Sequence, residues 1–393
     1  MTGPVGARLV LGVLVGLVGA LAWTPPVGAA PSGCARPVGV HTAAPTWATE
    51  LLGPSRTWPL TTGSGVRVAV LGTGVDADNA QFRRGQVETG RDVLTNRAGA
   101  TDDCDGRGTF AAGLIAARPD ERTTFAGLAP GVSVLPVRYT QSTRQGDGEV
   151  DPRRLAAAID VAVAARARVI YVVLPAVRNS AELRAATARA AAADIVVVSP
   201  AVPGSPGRGA TSYPTALPGV LAVGAFGPDG AVVSGEAGPY IGVAAPGRGL
   251  LSLSAGAGGA LVHSPVVDDP VFAAAYVAGT AALVRAYRPE LRAADVVRRI
   301  EATANRTAVE GRHPQLGWGM VDPYRAVTAE GVEEAPGLVG GSTRPVAAAR
   351  ADTGTGNDRR VVPLALGGLT AALLIGIGTA VARRGRARGW RPG

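Results

Sequence analysis

Short apolar runs alternate with longer, Ala-rich stretches through the middle of the chain, from about residue 45 to residue 328. The short runs are almost free of polar residues and rich in β-branched ones, which is typical of parallel strands covered on both faces. They predict strands at residues 66–71, 132–137, 169–174, 195–198 and 220–223. The longer stretches predict helices at residues 155–167, 180–193 and 272–287. This alternation predicts an α/β fold with a mostly parallel central sheet flanked by helices.

The first thirty residues have the pattern of a secretory signal peptide. Arg8 precedes an apolar run at 9–23, and small residues at 27–30 offer a cleavage site. The apolar run is shorter than the roughly 20 residues that span a bilayer, and two prolines follow it. We therefore predict a signal peptide at 1–30, with an uncleaved anchor helix as the alternative.

A second apolar segment near the other end of the chain predicts a transmembrane helix. Residues 361–382 carry no charge, and five arginines follow in the segment 383–393. Only two arginines, at 359 and 360, flank the other side, so the positive-inside rule places the tail in the cytoplasm. Residues 329–360 are rich in Gly, Ala, Thr and Arg and predict a flexible linker. The prediction is a single-pass type I membrane protein whose main domain is extracytoplasmic.

The charge and the cysteine count exclude several classes of function. The 393 residues carry a net charge of +9, but Arg8 and the five tail arginines account for six of those charges, which leaves +3. This small remainder removes the main support for nucleic-acid binding. Two cysteines exclude a zinc ribbon and an iron–sulfur cluster, and export permits either a disulfide or two free thiols.

Six segments in a fixed order resemble the subtilisin family of serine proteases. They are VRVAVLGTGVD at 66–76, DCDGRGT at 103–109, FAGLAPG at 125–131, AAPG at 244–247, FAAAYVAG at 272–279 and GWGMVDP at 317–323. The resemblance implies a subtilisin-like domain at 61–328, with catalytic Asp, His and Ser in that order along the chain.

Three further features narrow the resemblance to the mycosins, membrane-anchored subtilisin-like proteins of type VII secretion systems. These are the segment DCDG at 103–106, a Trp-containing extension at 31–60, and the predicted C-terminal anchor. The resemblance implies a disulfide between Cys34 and Cys104 and, as partners, the membrane components of a type VII system.

The three positions that match the family's triad hold Gly72, Arg107 and Val271. Val271 has no oxygen nucleophile, Arg107 stays protonated and cannot act as a base, and Gly72 has no carboxylate. The family's oxyanion position lies near Pro203, where no Asn occurs between residues 195 and 212. We therefore expect no intact catalytic residues, no cofactor and no metal site.

Two histidines and a cluster of three aspartates are weaker candidates for a catalytic or metal site. His263 and Ser264 are neighbours and would face opposite sides of a strand, so His263 is interpreted as a loop histidine. His313 is expected at the surface. Asp102, Asp103 and Asp105 could hold calcium, although a solvated acidic loop that pairs with Arg107 is the preferred interpretation.

The leading hypothesis is a mycosin-like pseudoprotease that serves as a structural component of a type VII secretion system. One alternative is an active serine-type endopeptidase with a displaced catalytic site. Another is a cell-surface module that binds an extended peptide in the old cleft, because strand addition needs no triad.

Overall fold

The structure is a computed structural model, and it describes residues 34–141, 149–202, 211–233, 235–306 and 311–332. The predicted signal peptide at 1–30, transmembrane helix at 361–382 and tail at 383–393 lie outside the described residues. So do most of the predicted linker at 329–360 and the oxyanion position near Pro203.

A twisted sheet forms the centre of the domain, and in the described residues it has eight strands in the order β3-β2-β4-β1-β5-β6-β7-β8. All neighbouring strands run parallel except the short pair β2 and β3. The strands are β1 (Arg67–Gly72), β2 (Arg91–Asp92), β3 (Arg97–Ala98), β4 (Ser133–Arg138), β5 (Val169–Val172), β6 (Val196–Pro200), β7 (Val220–Phe226) and β8 (Ile241–Pro246). The predicted α/β class with a mostly parallel sheet is confirmed.

Helices cover both faces of the sheet. They are α1 (Trp47–Leu52), α2 (Pro54–Thr57), α3 (Arg107–Ala116), α4 (Pro152–Ala164), α5 (Ala181–Ala192), α6 (Ala273–Tyr287), α7 (Ala293–Thr303) and α8 (Pro323–Thr328). In β1, Val68 and Val70 join the core on the α3 and α6 side, whereas Ala69 and Leu71 join the core on the α4 and α5 side. Successive side chains of a strand point to opposite faces, so a strand between two helical layers must be apolar throughout.

The predicted elements were found with shifted ends. The strand predicted at 169–174 ends at Val172, and the one predicted at 220–223 extends to Phe226. The helix predicted at 272–287 is preceded by a short 3-10 turn, Pro270–Phe272, which is capped by the side chain of Asp269. Strand β8 was missed because its sequence, IGVAAP, gives only a weak apolar run.

One segment among the described residues, Pro270–Tyr287, is long and apolar enough to cross a membrane. It is 83% buried inside the domain, so it is the central core helix α6 with its preceding turn. The predicted membrane anchor at 361–382 is a different segment and stays a prediction.

The N-terminal extension lies along the surface of the domain and is held there by side-chain contacts. A disulfide joins Cys34 to Cys104, with their Cα atoms 4.5 Å apart, and the Ala35 N–H donates to the Cys104 carbonyl at 2.7 Å. The indole N–H of Trp47 donates to the Arg248 carbonyl at 3.0 Å. The extension is thus attached at several points far apart in the sequence.

Candidate functional site

The three triad-matching positions meet at the carboxyl ends of the central strands. Gly72 is the last residue of β1, Arg107 is the first residue of α3, and Val271 lies in the turn that leads into α6. A Cβ placed on Gly72 would lie 3.8 Å from the Cα of Gly108, the neighbour of Arg107. The fold therefore brings these positions together at one end of the sheet.

The space beside Gly72 is occupied by another side chain. A Cβ on Gly72 would lie 3.2 Å from Cγ2 of Val173 and 3.4 Å from its Cβ. Val173 follows β5 directly, and its N–H donates to the Leu71 carbonyl at 2.9 Å, which fixes the backbone there. A side chain at position 72 would be in tight contact with Val173, which would have to shift slightly to make room.

The guanidinium of Arg107 is paired with Asp269, which lies two residues before Val271. Arg107 Nη1 donates to Asp269 Oδ2 at 2.5 Å, and its Nε lies 3.9 Å from Asp105 Oδ1. The guanidinium carbon also lies 5.8 Å from the ring centroid of Phe272. The side chains of Arg107 and Asp269 are 29% and 16% exposed, so the pair is partly screened from water. This ion pair links the start of α3 to the turn before α6.

The backbone around Val271 is held by two hydrogen bonds. Asp269 Oδ1 accepts from the Val271 N–H at 3.1 Å, and the buried Tyr171 hydroxyl donates to the Val271 carbonyl at 2.9 Å. Burial, with a further contribution from the charge of Asp269, raises the pKa of Tyr171 well above its usual value. Tyr171 therefore stays protonated and acts as a structural donor.

Asp103 is buried beneath the site and does not lie in a solvated loop as predicted. Its carboxylate accepts four hydrogen bonds, from Thr73 Oγ1 at 2.8 Å, Gly106 N at 2.9 Å, Thr109 N at 2.8 Å and Thr109 Oγ1 at 2.7 Å. Burial raises the pKa of Asp103, and these bonds act in the opposite direction. The correction arises because the loop folds back over the end of β1, which encloses the carboxylate.

The other two acidic residues of that loop have separate partners. Asp102 pairs with Arg138 at 2.8 Å and is mostly exposed, whereas Asp105 lies near Arg107 as predicted. Within the described ranges, no group of three or more His, Cys, Asp or Glu side chains is arranged to hold a metal ion.

All three histidines of the chain lie among the described residues, and none is placed as a base beside a serine hydroxyl. His263 lies in a loop, outside the named strands and helices, and is fully buried there, whereas Ser264 donates to the Pro265 carbonyl. His313 Nδ1 accepts from the N–H groups of Gln315 and Leu316 at 3.1 Å. His41 Nε2 lies 3.2 Å from the Ala44 carbonyl.

Sequence reasoning missed the residues that now define the site. Asp269, Val173 and Tyr171 contact the three positions, yet each lies outside the six matched segments or at their edge. A signal was available for Asp269, because an acid beside one triad position and an arginine at another form a complementary pair. No complementary pair of residue types in the sequence indicates the packing of Val173 or the hydrogen bond of Tyr171.

Comparison with known proteins gave consistent matches over most of the chain. Residues 63–319 match the Subtilase family. Mycosin-1 of Mycolicibacterium smegmatis is 32% identical, over 86% of this chain and 84% of the relative. A structure of a serine protease MycP1, described as an essential component of the type VII (ESX-1) secretion system, is 28% identical with a TM-score of 0.66, over 76% of this chain and 94% of that one. A chain of an intact ESX-5 inner membrane complex is 27% identical with a TM-score of 0.65, over 89% and 95%.

Proposed function

The chain belongs to the subtilase family and, within it, to the mycosins, and we propose that it is a mycosin that does not hydrolyse peptides. In this proposal the protease fold serves as a structural component of a type VII secretion membrane complex. The single observation that carries the proposal is the Arg107–Asp269 ion pair at the place where a base and a nucleophile would meet.

The chemistry of the site supports the absence of peptide hydrolysis. Hydrolysis by a serine protease needs an oxygen nucleophile, a base that accepts its proton and a carboxylate that orients the base. Val271 supplies methyl groups, and Arg107 supplies a guanidinium, which donates hydrogen bonds and has no acceptor site for a proton. Gly72 supplies no side chain, and Val173 fills the adjacent space. Loss of a complete triad lowers kcat by about 10⁶ in a subtilisin, so little activity would remain.

The alternative of a displaced catalytic site has less support in the described residues. A new site needs a histidine within hydrogen-bond reach of a nucleophile and free to take its proton. Both ring nitrogens of His263 are engaged, by the His41 N–H and by Gln81. His313 uses Nδ1 on two backbone N–H groups.

The structural role rests on the relatives and on the predicted anchor. A neighbouring structure is part of an intact ESX-5 inner membrane complex, and another is described as the periplasmic assembly of that complex. In our proposal residues 361–382 anchor this chain, and residues 61–328 lie on the outer face of the membrane. There the domain would contact the membrane components of its own secretion system.

Labelling with a fluorophosphonate probe tests the non-hydrolytic proposal. The full chain, purified in detergent, is expected to show no saturable labelling, whereas a mycosin with an intact serine nucleophile labels under the same conditions. Heat-denatured protein gives the background. Saturable labelling of the native chain above that background would contradict the proposal that the chain does not hydrolyse peptides.

Co-purification tests the structural role separately. Affinity capture of the full chain from its own membranes is expected to recover the type VII membrane components. Deletion of the chain should reduce the yield of assembled complex, and re-expression of an Arg107→Lys variant should restore it. An unchanged yield after deletion would contradict a structural role, whatever the labelling result.

A further inference from the structure

Residues 37–44 of the extension, which we call the strap, lie over the domain between two fixed attachments. On one side, the Cys34–Cys104 disulfide holds the chain covalently. On the other, the Trp47 indole donates to the Arg248 carbonyl at 3.0 Å and its ring packs edge-on against Phe226, with centroids 6.0 Å apart. The disulfide, the indole of Trp47, the Arg248 carbonyl and the Phe226 ring do not titrate between pH 4 and 8. We therefore expect both attachments to persist over that range.

Two threonines and one buried residue, His263, hold the middle of the strap. The hydroxyls of Thr123 and Thr124 donate to the carbonyls of His41 at 2.7 Å and Ala43 at 2.6 Å. The Val38 N–H donates to the His263 carbonyl at 3.0 Å, and the His263 N–H donates to the Gly39 carbonyl at 2.8 Å. The His41 N–H then donates to the ring nitrogen Nδ1 of His263 at 3.0 Å. Three of the strap's hydrogen bonds thus depend on where this one residue lies.

These contacts fix the tautomer of the imidazole. Because Nδ1 accepts from a backbone N–H, the ring proton must sit on Nε2, which donates to Gln81 Oε1 at 2.9 Å. The amide of Gln81 cannot turn around, since its Nε2 already donates to the carbonyls of Arg118 at 2.7 Å and Phe125 at 2.9 Å. A second proton on Nδ1 would face the His41 N–H, so protonation of the ring removes this hydrogen bond of the strap.

The surroundings of His263 do not favour a charged ring. His41 is the titratable group that faces it, with ring centroids 6.4 Å apart, and Phe125 packs edge-on at 5.5 Å. Within the described part of the chain, His263 has no carboxylate as an ion-pair partner. Burial, reinforced by the neighbouring His41, lowers the pKa of His263 to about 4.

We propose that His263 is a proton-sensitive clamp, and that its protonation releases the strap from the domain while the disulfide keeps the strap tethered. Release would uncover the backbone groups of His263 that pair with Val38 and Gly39. It would also free Val38 and Val40, whose side chains are already 66% and 44% exposed in the attached state. The clamp is independent of whether the chain hydrolyses peptides.

The direction of the pH dependence follows from the two states of the ring. When the strap is released, the pKa of His263 returns towards its ordinary value of about 6.5, whereas in the attached state the pKa is about 4. Attachment is therefore strongest above pH 6.5 and weakens as the pH falls towards 4. Between pH 7 and pH 4.5, the opening equilibrium of the strap should increase roughly 50-fold.

Hydrogen–deuterium exchange of the full chain in detergent tests the clamp. After correction for intrinsic exchange rates, peptides that cover residues 38–44 should lose protection roughly 50-fold between pH 7 and pH 4.5. Peptides from β1 and α6 should keep theirs. Unchanged protection of the strap at pH 4.5, or its loss only together with β1 and α6, would overturn the clamp.

A variant of His263 and NMR of the imidazole signals test the clamp in two further ways. The variant His263→Gln lacks a titrating ring, so its strap should show the same protection at both pH values, whereas His313→Gln should behave like the native chain. If His263→Gln does not fold, NMR of histidine-labelled native chain decides, because only three imidazoles contribute signals. A His263 signal that titrates near pH 6.5 without any release of the strap would refute the clamp.

Discussion

Val173 packs directly against the backbone of Gly72, with 3.2 Å between its Cγ2 and the position of a Cβ on residue 72. A side chain at position 72 would therefore be crowded by Val173.

We expect Gly72→Asp to lower the free energy of unfolding by about 1–3 kcal/mol, because the new side chain overpacks the site and buries a charge. Val173→Ala should recover part of that loss when it is combined with Gly72→Asp, although alone it leaves a cavity and destabilises the chain. Urea unfolding of the two single variants and the double variant measures this coupling. If the changes in unfolding free energy of the two single variants simply add up in the double variant, Val173 does not hinder a side chain at position 72.

The Arg107–Asp269 pair should contribute modestly to stability. The pair is partly exposed, so the coupling free energy from an alanine double-mutant cycle is expected to be about 1 kcal/mol. Asp269→Ala alone should cost more than Arg107→Ala, because Asp269 also accepts from the Val271 N–H at 3.1 Å. Unfolding curves in urea, followed by tryptophan fluorescence, give both quantities. Equal costs for the two single variants would contradict the capping role.

The hydroxyl of Tyr171 should matter for stability. Tyr171→Phe leaves the Val271 carbonyl without its buried donor and is expected to cost about 1–2 kcal/mol. The control is Tyr287→Phe, whose side chain is 42% exposed and which should change stability by less than about 0.5 kcal/mol. Thermal unfolding of both variants compares them, and similar midpoints would count against the Tyr171 hydrogen bond.

The disulfide should stabilise the chain through the long loop that it closes. Cys34 and Cys104 are 70 residues apart, and the loss of such a cross-link is expected to cost about 2–4 kcal/mol. The double variant Cys34→Ser, Cys104→Ser should therefore unfold at lower denaturant concentration than the native chain. A reductant should lower the native midpoint to that of the double variant and leave the variant unchanged. A native midpoint that does not respond to full reduction would contradict this expectation.

Some of the candidate site could be predicted from the sequence because it depends on residue type alone. Val271 cannot supply a nucleophile and Arg107 cannot act as a base in any fold, so those inferences needed only the matched motifs. Asp269 and Arg107 are 162 residues apart, so their pairing could be inferred only by combining two matched motifs and not from any local pattern of apolar and polar residues. Asp103 was placed in water for the same reason, since only the folded loop encloses it.

The class of the fold follows from the sequence alone, because buried parallel strands must be apolar on both faces and amphipathic helices must cover them. The residue types at 72, 107 and 271 are likewise read from the sequence, and the absence of a triad there stays a prediction. Three features became evident only from the folded structure: Val173 packs beside Gly72, Arg107 pairs with Asp269, and His263 is a buried neutral imidazole. Each of these depends on distances between segments far apart in the chain, and those distances are set by the packing of the whole domain.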